Sequence, residues 1–190
     1  MLLYRVFRYR STAKPGESGH PLFVFKPQTS GRWDNPGEYD TWYLARAPEC
    51  AVGETFGDLR VWREATFSTL FPDDTRRVLG TFEVPDTIAL LDLDDARNLF
   101  DRHLRPTQIA IRNRPATQSI ALEAFREKNA DGTRKWAGLS WWSTRWPAWT
   151  PICLWASPTD TPPHTLVDIQ DLTTSHPAVA DAARTLAKPL

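Results

Sequence analysis

The alternation of apolar and polar side chains lays out most of the elements of this chain. Leu2 to Tyr9 alternates as a half-buried strand does. Ser11–His20 (STAKPGESGH) has the composition of a loop. The short apolar run Leu22–Phe25 reads as another strand. Residues 31–40, GRWDNPGEYD, interrupt regular structure with two glycines and an Asn-Pro pair. Thr41–Ala45 then reads as a short strand, with Trp42 and Leu44 on one face and Tyr43 on the other. Pro48 suits the first turn of a helix and Glu49 its positive end, so a helix is predicted to Phe56, stopping near Gly57.

Beyond that helix, Leu59–Leu70 leans towards helix. Arg77–Val84 and Thr87–Leu93 read as strands separated by Pro85-Asp86, and Asp94 is placed to cap a helix through Leu104. Ala116–Lys128 carries the clearest helical stripe, Ile120, Ala121, Ala124 and Phe125, and Asp131-Gly132 follows its end. Leu139–Trp142 and Ile152–Ala156 read as late strands joined by STRWPAWTP, with a further strand at Thr165–Ile169 and a terminal helix at Pro177–Ala187. Strands and helices mix without a regular βαβ rhythm, and neither a repeat nor a dividing linker is visible. The pattern therefore predicts an α+β fold: a single compact domain over residues 1–190, one mixed β-sheet with flanking helices.

Composition narrows the function classes. Lys+Arg and Asp+Glu number 23 each, so the chain lacks the net basic charge that drives general nucleic-acid binding. The hydrophobic fraction is 41%, but nine Trp add buried area, which argues against disorder. Cys50 and Cys153 do not make a disulfide scaffold. The start, MLLYRVFRYR, has arginines where a secretory signal has its apolar core, and no apolar run approaches the roughly 20 residues that span a bilayer. A reduced, cytoplasmic protein with no membrane partner is the expectation.

Several residues are candidates for chemistry. Arg32, after Gly31 and before Trp33, offers a planar fork suited to phosphate oxygens; equally, it can stack exposed on Trp33. Tyr43 can stack on a flat ring, or be a core aromatic with a satisfied hydroxyl. Glu54 sits over Ala51 and Cys50 on the predicted helix, where a carboxylate is costly unless exposed or partnered. A fixed carboxylate stabilises an oxocarbenium-like state during glycosidic cleavage; a surface ion pair is the plainer alternative. Ser143 can orient a ligand amide or ribose, or simply start a turn. Arg112 and Arg114 can meet an acidic partner or be solvated, and Thr117-Gln118 can face a cleft or cap a helix.

Other site types find no support. His20, His103, His164 and His176 lack metal-ligand spacing, so no metal is expected. The chain has no G-x-G-x-x-G after a strand, no P-loop and no G-x-S-x-G elbow. Asp92, Asp94 and Asp95 can bind a cation, but a strand end and a helix cap explain them more simply.

Taken in order, Gly31-Arg32-Trp33, Tyr43-Leu44-Ala45, Ala51-Val52-Gly53-Glu54 and Trp141-Trp142-Ser143 resemble the RES domain, named for its arginine, glutamate and serine. The resemblance runs from Leu3 to about Trp155. Many members carry a proline where this chain has Trp142, and residues 57–76 and the tail after Ala156 match no pattern of the family.

The resemblance implies an ADP-ribosyltransferase-like fold and an enzyme that consumes NAD as substrate. Cleavage of the nicotinamide–ribose bond would be by hydrolysis (a glycohydrolase), phosphorolysis (a phosphorylase) or ADP-ribosyl transfer to a protein. It further implies a bacterial type II toxin whose partner is an Xre-like helix-turn-helix antitoxin covering the cleft. Residue by residue, Arg32 would grip the NAD phosphates and Tyr43 would position the nicotinamide or its ribose. Glu54 would stabilise the oxocarbenium, and Ser143 would orient the nicotinamide side. Arg145, placed where members often have an arginine, is a second phosphate-binding candidate. The rival from another class is a non-catalytic module using Trp-rich loops to grip a protein or single-stranded nucleic acid. Neither reading settles whether the chain forms a homo-oligomer.

Overall fold

In a computed structural model, which describes residues 1–68 and 70–190, every named strand joins one sheet. The strands are β1 (Leu2–Tyr9), β2 (Asp40–Ala45), β3 (Arg76–Glu83), β4 (Leu90–Asp92), β5 (Gly138–Ser140), β6 (Pro151–Ala156) and β7 (Thr165–Asp171). Their spatial order is β4-β5-β6-β2-β1-β3-β7, antiparallel except for the parallel β4–β5 pair. The helices are α1 (Pro48–Phe56), α2 (Glu64–Ser68), α3 (Ala96–Asp101), α4 (Pro106–Ala110), α5 (Arg114–Arg126) and α6 (Pro177–Thr185). The fold is α+β, with one mixed sheet and flanking helices. Among the described residues no helix is long and apolar enough to cross a membrane.

One sheet face is a single apolar layer, made by alternate residues such as Leu3 and Phe7 of β1, Trp42 and Leu44 of β2, and Val78 and Phe82 of β3. The opposite face carries two separate clusters. One gathers Trp33, Tyr39, Leu139 and Trp155 against the Ile120-Ala121-Ala124-Phe125 stripe of α5. The other packs α1 and α6 together around Val52, Trp62, Phe67 and Val179. Between them the sheet is loosely closed. β1 matches β3 at every residue from Leu2 to Tyr9, whereas its register with β2 is the single pair Tyr4–Ala45. Beyond that pair the two strands diverge, leaving a split in the sheet.

Several sequence expectations need correction. Leu22–Phe25 is not a strand. Side chains take carbonyls along this run, Trp42 Nε1 donating to Leu22 O and the Arg5 guanidinium to Pro21 O and Phe23 O. Of Leu59–Leu70 only Glu64–Ser68 is helical, because Trp62 is anchored elsewhere, its N–H on Pro189 O and its indole on Phe56 O; Thr69 lies outside the described residues. Thr87–Leu93 shortens to β4, since a turn closed by Ile88 N to Pro85 O uses its first residues. Leu139–Trp142 likewise pairs as a strand only through Ser140. The cap of α3 is Asp95, whose carboxylate accepts from Arg97 N at 2.7 Å, not Asp94, and the helix ends at Asp101. The short α4 was not expected.

Candidate active site

The segment from Gly31 to Asp34 is tied into the split by a compact hydrogen-bond net. The Tyr43 hydroxyl donates to Asp34 Oδ1 at 2.8 Å and accepts from Trp33 N at 2.9 Å. Asp34 Oδ2 accepts from Gly31 N at 2.6 Å, and Gln118 at the start of α5 donates to Gly31 O at 3.0 Å. Any Cβ at Gly31 would land on the Tyr43 hydroxyl and the Asp34 carboxylate, so only glycine lets this turn close. Burial, with the Asp34 charge beside it, pushes the Tyr43 phenol well above its ordinary pKa. Tyr43 is therefore a neutral, fixed wall of the split. Its hydroxyl is spoken for inside the protein, and its ring faces Trp141 edge-on at 6.5 Å.

This net aims Arg32 into a cavity of about 730 Å³ at the end of α1. Five cations line it (Arg32, Arg112, Arg114, Arg145 and Lys188) against two carboxylates, Glu54 and Asp58. Arg32 donates to Ile109 O and lies 5.2 Å from the Trp33 ring, while its Nε is buried without a partner among the described residues. A buried guanidinium N–H left unpaired is a costly arrangement that an anionic ligand would relieve. Desolvation lowers the Arg32 pKa, opposed by the nearby Glu54 and Tyr43.

Glu54 is one-third exposed and stands where this basic cavity meets a smaller one of about 250 Å³ within the split. The smaller cavity touches both clusters of the face, Tyr4 and Val6 from one and Tyr43 and Trp141 from the other. The fully buried Ser143 hydroxyl donates to Glu54 Oε1. The same Oγ accepts from Arg145 N at 3.0 Å and Trp146 N at 3.3 Å. Ser143 thus starts a turn and orients the glutamate with one atom. Arg145 places Nε 3.9 Å from Glu54 Oε2, while its two terminal nitrogens are held by Asp58 at 3.0 and 2.9 Å.

Arg32, Tyr43, Glu54, Ser143 and Arg145, separated widely in sequence, are thereby gathered around two joined cavities. The sequence reading left out Asp34, Asp58, Arg5 and Lys188. Arg5, on β1, lines the split and continues into a third cavity of about 440 Å³ under the 18–31 segment. Its contacts are to carbonyls at 3.3 and 3.5 Å, and desolvation brings its pKa down to about 10. An arginine on the first strand, in a chain rich in arginine, has no local pattern to mark it. Lys188 enters from the tail, donating to Leu59 O at 2.8 Å. Burial raises the pKa of both Cys50 and Cys153, so neither offers a thiolate nucleophile. Most of the tryptophans are core residues, and among them Trp146 alone is broadly exposed, which leaves little aromatic surface for stacking bases.

Comparison with known proteins agrees with this architecture. No curated protein sequence matches the chain. One solved structure that does match is a chain of the crystal structure of the M. tuberculosis MbcT–MbcA toxin–antitoxin complex. It is 18% identical, with a TM-score of 0.60, and the match covers 98% of this chain and 89% of that one. At that identity the likeness is one of fold. The RES domain family matches residues 2–182, so the tail that showed no pattern by eye, and that contributes α6, falls within the match. With that span, and with arginine, glutamate and serine meeting at one cleft, the chain belongs to the RES domain family.

Proposed function

We propose that this protein is an NAD-consuming enzyme that cleaves the nicotinamide–ribose bond. The observation that carries the reading is the position of Glu54 at the junction of a cationic cavity and an aromatic-walled split, held by Ser143. In this arrangement Arg32 grips the pyrophosphate and Arg145 adds its charge to the same cavity. Tyr43 and Trp141 flank the nicotinamide in the split. The bond from ribose C1′ to the pyridinium nitrogen breaks with its electron pair going to nitrogen, so neutral nicotinamide leaves. The ribosyl oxocarbenium that remains is stabilised by the Glu54 carboxylate. Ser143 fixes the rotamer of that carboxylate, so little reorganisation accompanies charge development. Water, phosphate or a protein side chain then attacks C1′, giving a glycohydrolase, a phosphorylase or an ADP-ribosyltransferase.

The biological role we propose is that of a toxin neutralised by an antitoxin of the Xre-like helix-turn-helix kind. Support comes from the family and from the fold neighbour, which was crystallised as a toxin–antitoxin complex. Exposed Ile111, which lines the cavity, and exposed Trp146, next in sequence to Arg145, are suitable anchors for such a partner. The deciding experiment is incubation of purified protein with NAD, with and without phosphate, followed by product analysis. Release of nicotinamide with ADP-ribose or its 1″-phosphate is expected. Folded protein that releases none, and that labels no protein from cell extract with ADP-ribose, would overturn the reading.

A further inference from the structure

We infer that Asp58 is a positioning residue of this site: it holds the Arg145 guanidinium off the Glu54 carboxylate. The inference rests on the NAD-cleaving reading and assigns Arg145 to Glu54 rather than to phosphate.

The geometry is that of a clasp. Asp58 is 82% exposed, and an exposed ion pair contributes little to folding. Yet this pair is a two-pronged fork, with Arg145 donating to both Asp58 oxygens at 3.0 and 2.9 Å from a side chain only 22% exposed. With the terminal nitrogens so engaged, only Nε faces Glu54, at 3.9 Å, a distance of attraction without a direct hydrogen bond.

The backbone is shaped around the same guanidinium. Gly57 has φ −61°, a conformation open to any residue, so its lack of a side chain answers a need for space and not for a backbone angle. A Cβ there would lie 2.5 Å from Gly53 O of α1, and also 2.7 Å from Arg145 Nη1 and 2.8 Å from its Cδ. Residue 57 leaves room for the last α1 carbonyls and the arginine together, and residue 58 grips the arginine. The segment is pinned in turn by Lys188 Nζ on Leu59 O and by Trp62 N on Pro189 O.

Charge explains the need for the clasp. Arg145 shares its cavity with Arg32, Arg112, Arg114 and Lys188. Without Asp58, the nearest anion is Glu54, and a guanidinium turned onto it would pair with the charge required by the developing oxocarbenium. Asp58 therefore keeps Glu54 attracted but uncommitted.

The test is a double-mutant cycle on nicotinamide release, with melting curves as a check on folding. Asp58→Asn is expected to lower kcat by about tenfold with KM for NAD changed less than about twofold, as misorientation of a catalytic group does. Asp58→Glu should restore most of the rate. In an Arg145→Gln background, Asp58→Asn should have no further effect, because it acts only through Arg145. Unchanged kcat in Asp58→Asn, or losses that add in the double variant, would overturn the inference while leaving the NAD reading intact. A wild-type protein that releases no nicotinamide would overturn both.

Discussion

The two sides of β1 are opposites. Towards β3 the strand is matched at every residue and backed by Phe7, Val78 and Phe82 in one apolar layer. Towards β2 it is matched once, at Tyr4–Ala45, and then opens. The sealed side contributes stability, through a full ladder and buried rings. The open side exchanges ladder contacts for a cleft whose walls are still strands, and whose side chains are therefore held as firmly as core residues. Placing a site in a split of the sheet, rather than on loops alone, gives Tyr43 and Arg5 the rigidity that precise binding needs.

This contrast can be broken from either side. The largest effect on stability should come from Phe82→Ala, which removes a fully buried ring packed on Phe7 and His164. A loss of about 3–5 kcal/mol is expected by chemical denaturation. Glu54→Gln should do the converse, lowering kcat for nicotinamide release by about 10²–10³-fold, the usual loss for one preorganised electrostatic group, while melting unchanged. Full activity in that variant would remove Glu54 from the mechanism.

A subtler probe of the sealed face is His164, buried between Trp42 and Phe82 with neither ring nitrogen hydrogen-bonded among the described residues. Desolvation, then the nearby Arg5 charge, lowers its pKa to about 3. The unfolded chain binds this proton below its ordinary pKa of about 6.5, but the native state does not until far lower pH. The contribution of His164 is thus present above pH 6.5 and lost as pH falls towards 3, a decline of a few kcal/mol by linkage. Denaturation midpoints measured against pH should flatten over that window in His164→Leu; an unchanged slope would show that other groups govern it. The smallest effect belongs to the open side. Tyr43→Phe leaves Trp33 N and Asp34 Oδ1 without their partner, and a cost of about 1–3 kcal/mol is expected in thermal melts, together with reduced nicotinamide release.

Local signals carried some elements nearly to the residue. Pro48 and the small apolar stripe placed α1, and the α5 stripe proved to be the face packed on the sheet. Alternation in β2 correctly separated Tyr43 from Trp42 and Leu44. The expectation failed where tertiary partners competed for the backbone. Leu22–Phe25 is apolar enough for a strand, yet its carbonyls are taken by Trp42 and Arg5. Gly57 ends α1 as expected, but because Gly53 O and Arg145 crowd the position and not through a left-handed cap. In the site, Glu54 was legible as a carboxylate on a small-residue stripe, whereas Ser143, locally an ordinary turn serine, stood out only through the RES pattern. Asp58, Asp34 and Lys188 were not, since charged residues in turns and tails are ordinary until something faces them.

The chain by itself determined most of its strands and helices, through the period of its apolar residues, and which ordered residues carry the RES pattern. Only the tertiary structure decided that β1 closes on β3 and parts from β2, and that Ser143 and Arg145 meet a glutamate 89 residues from the serine. Periodicity is a short-range property, whereas strand neighbours, unpaired buried donors and the balance of charge in a cavity depend on contacts that no local window contains.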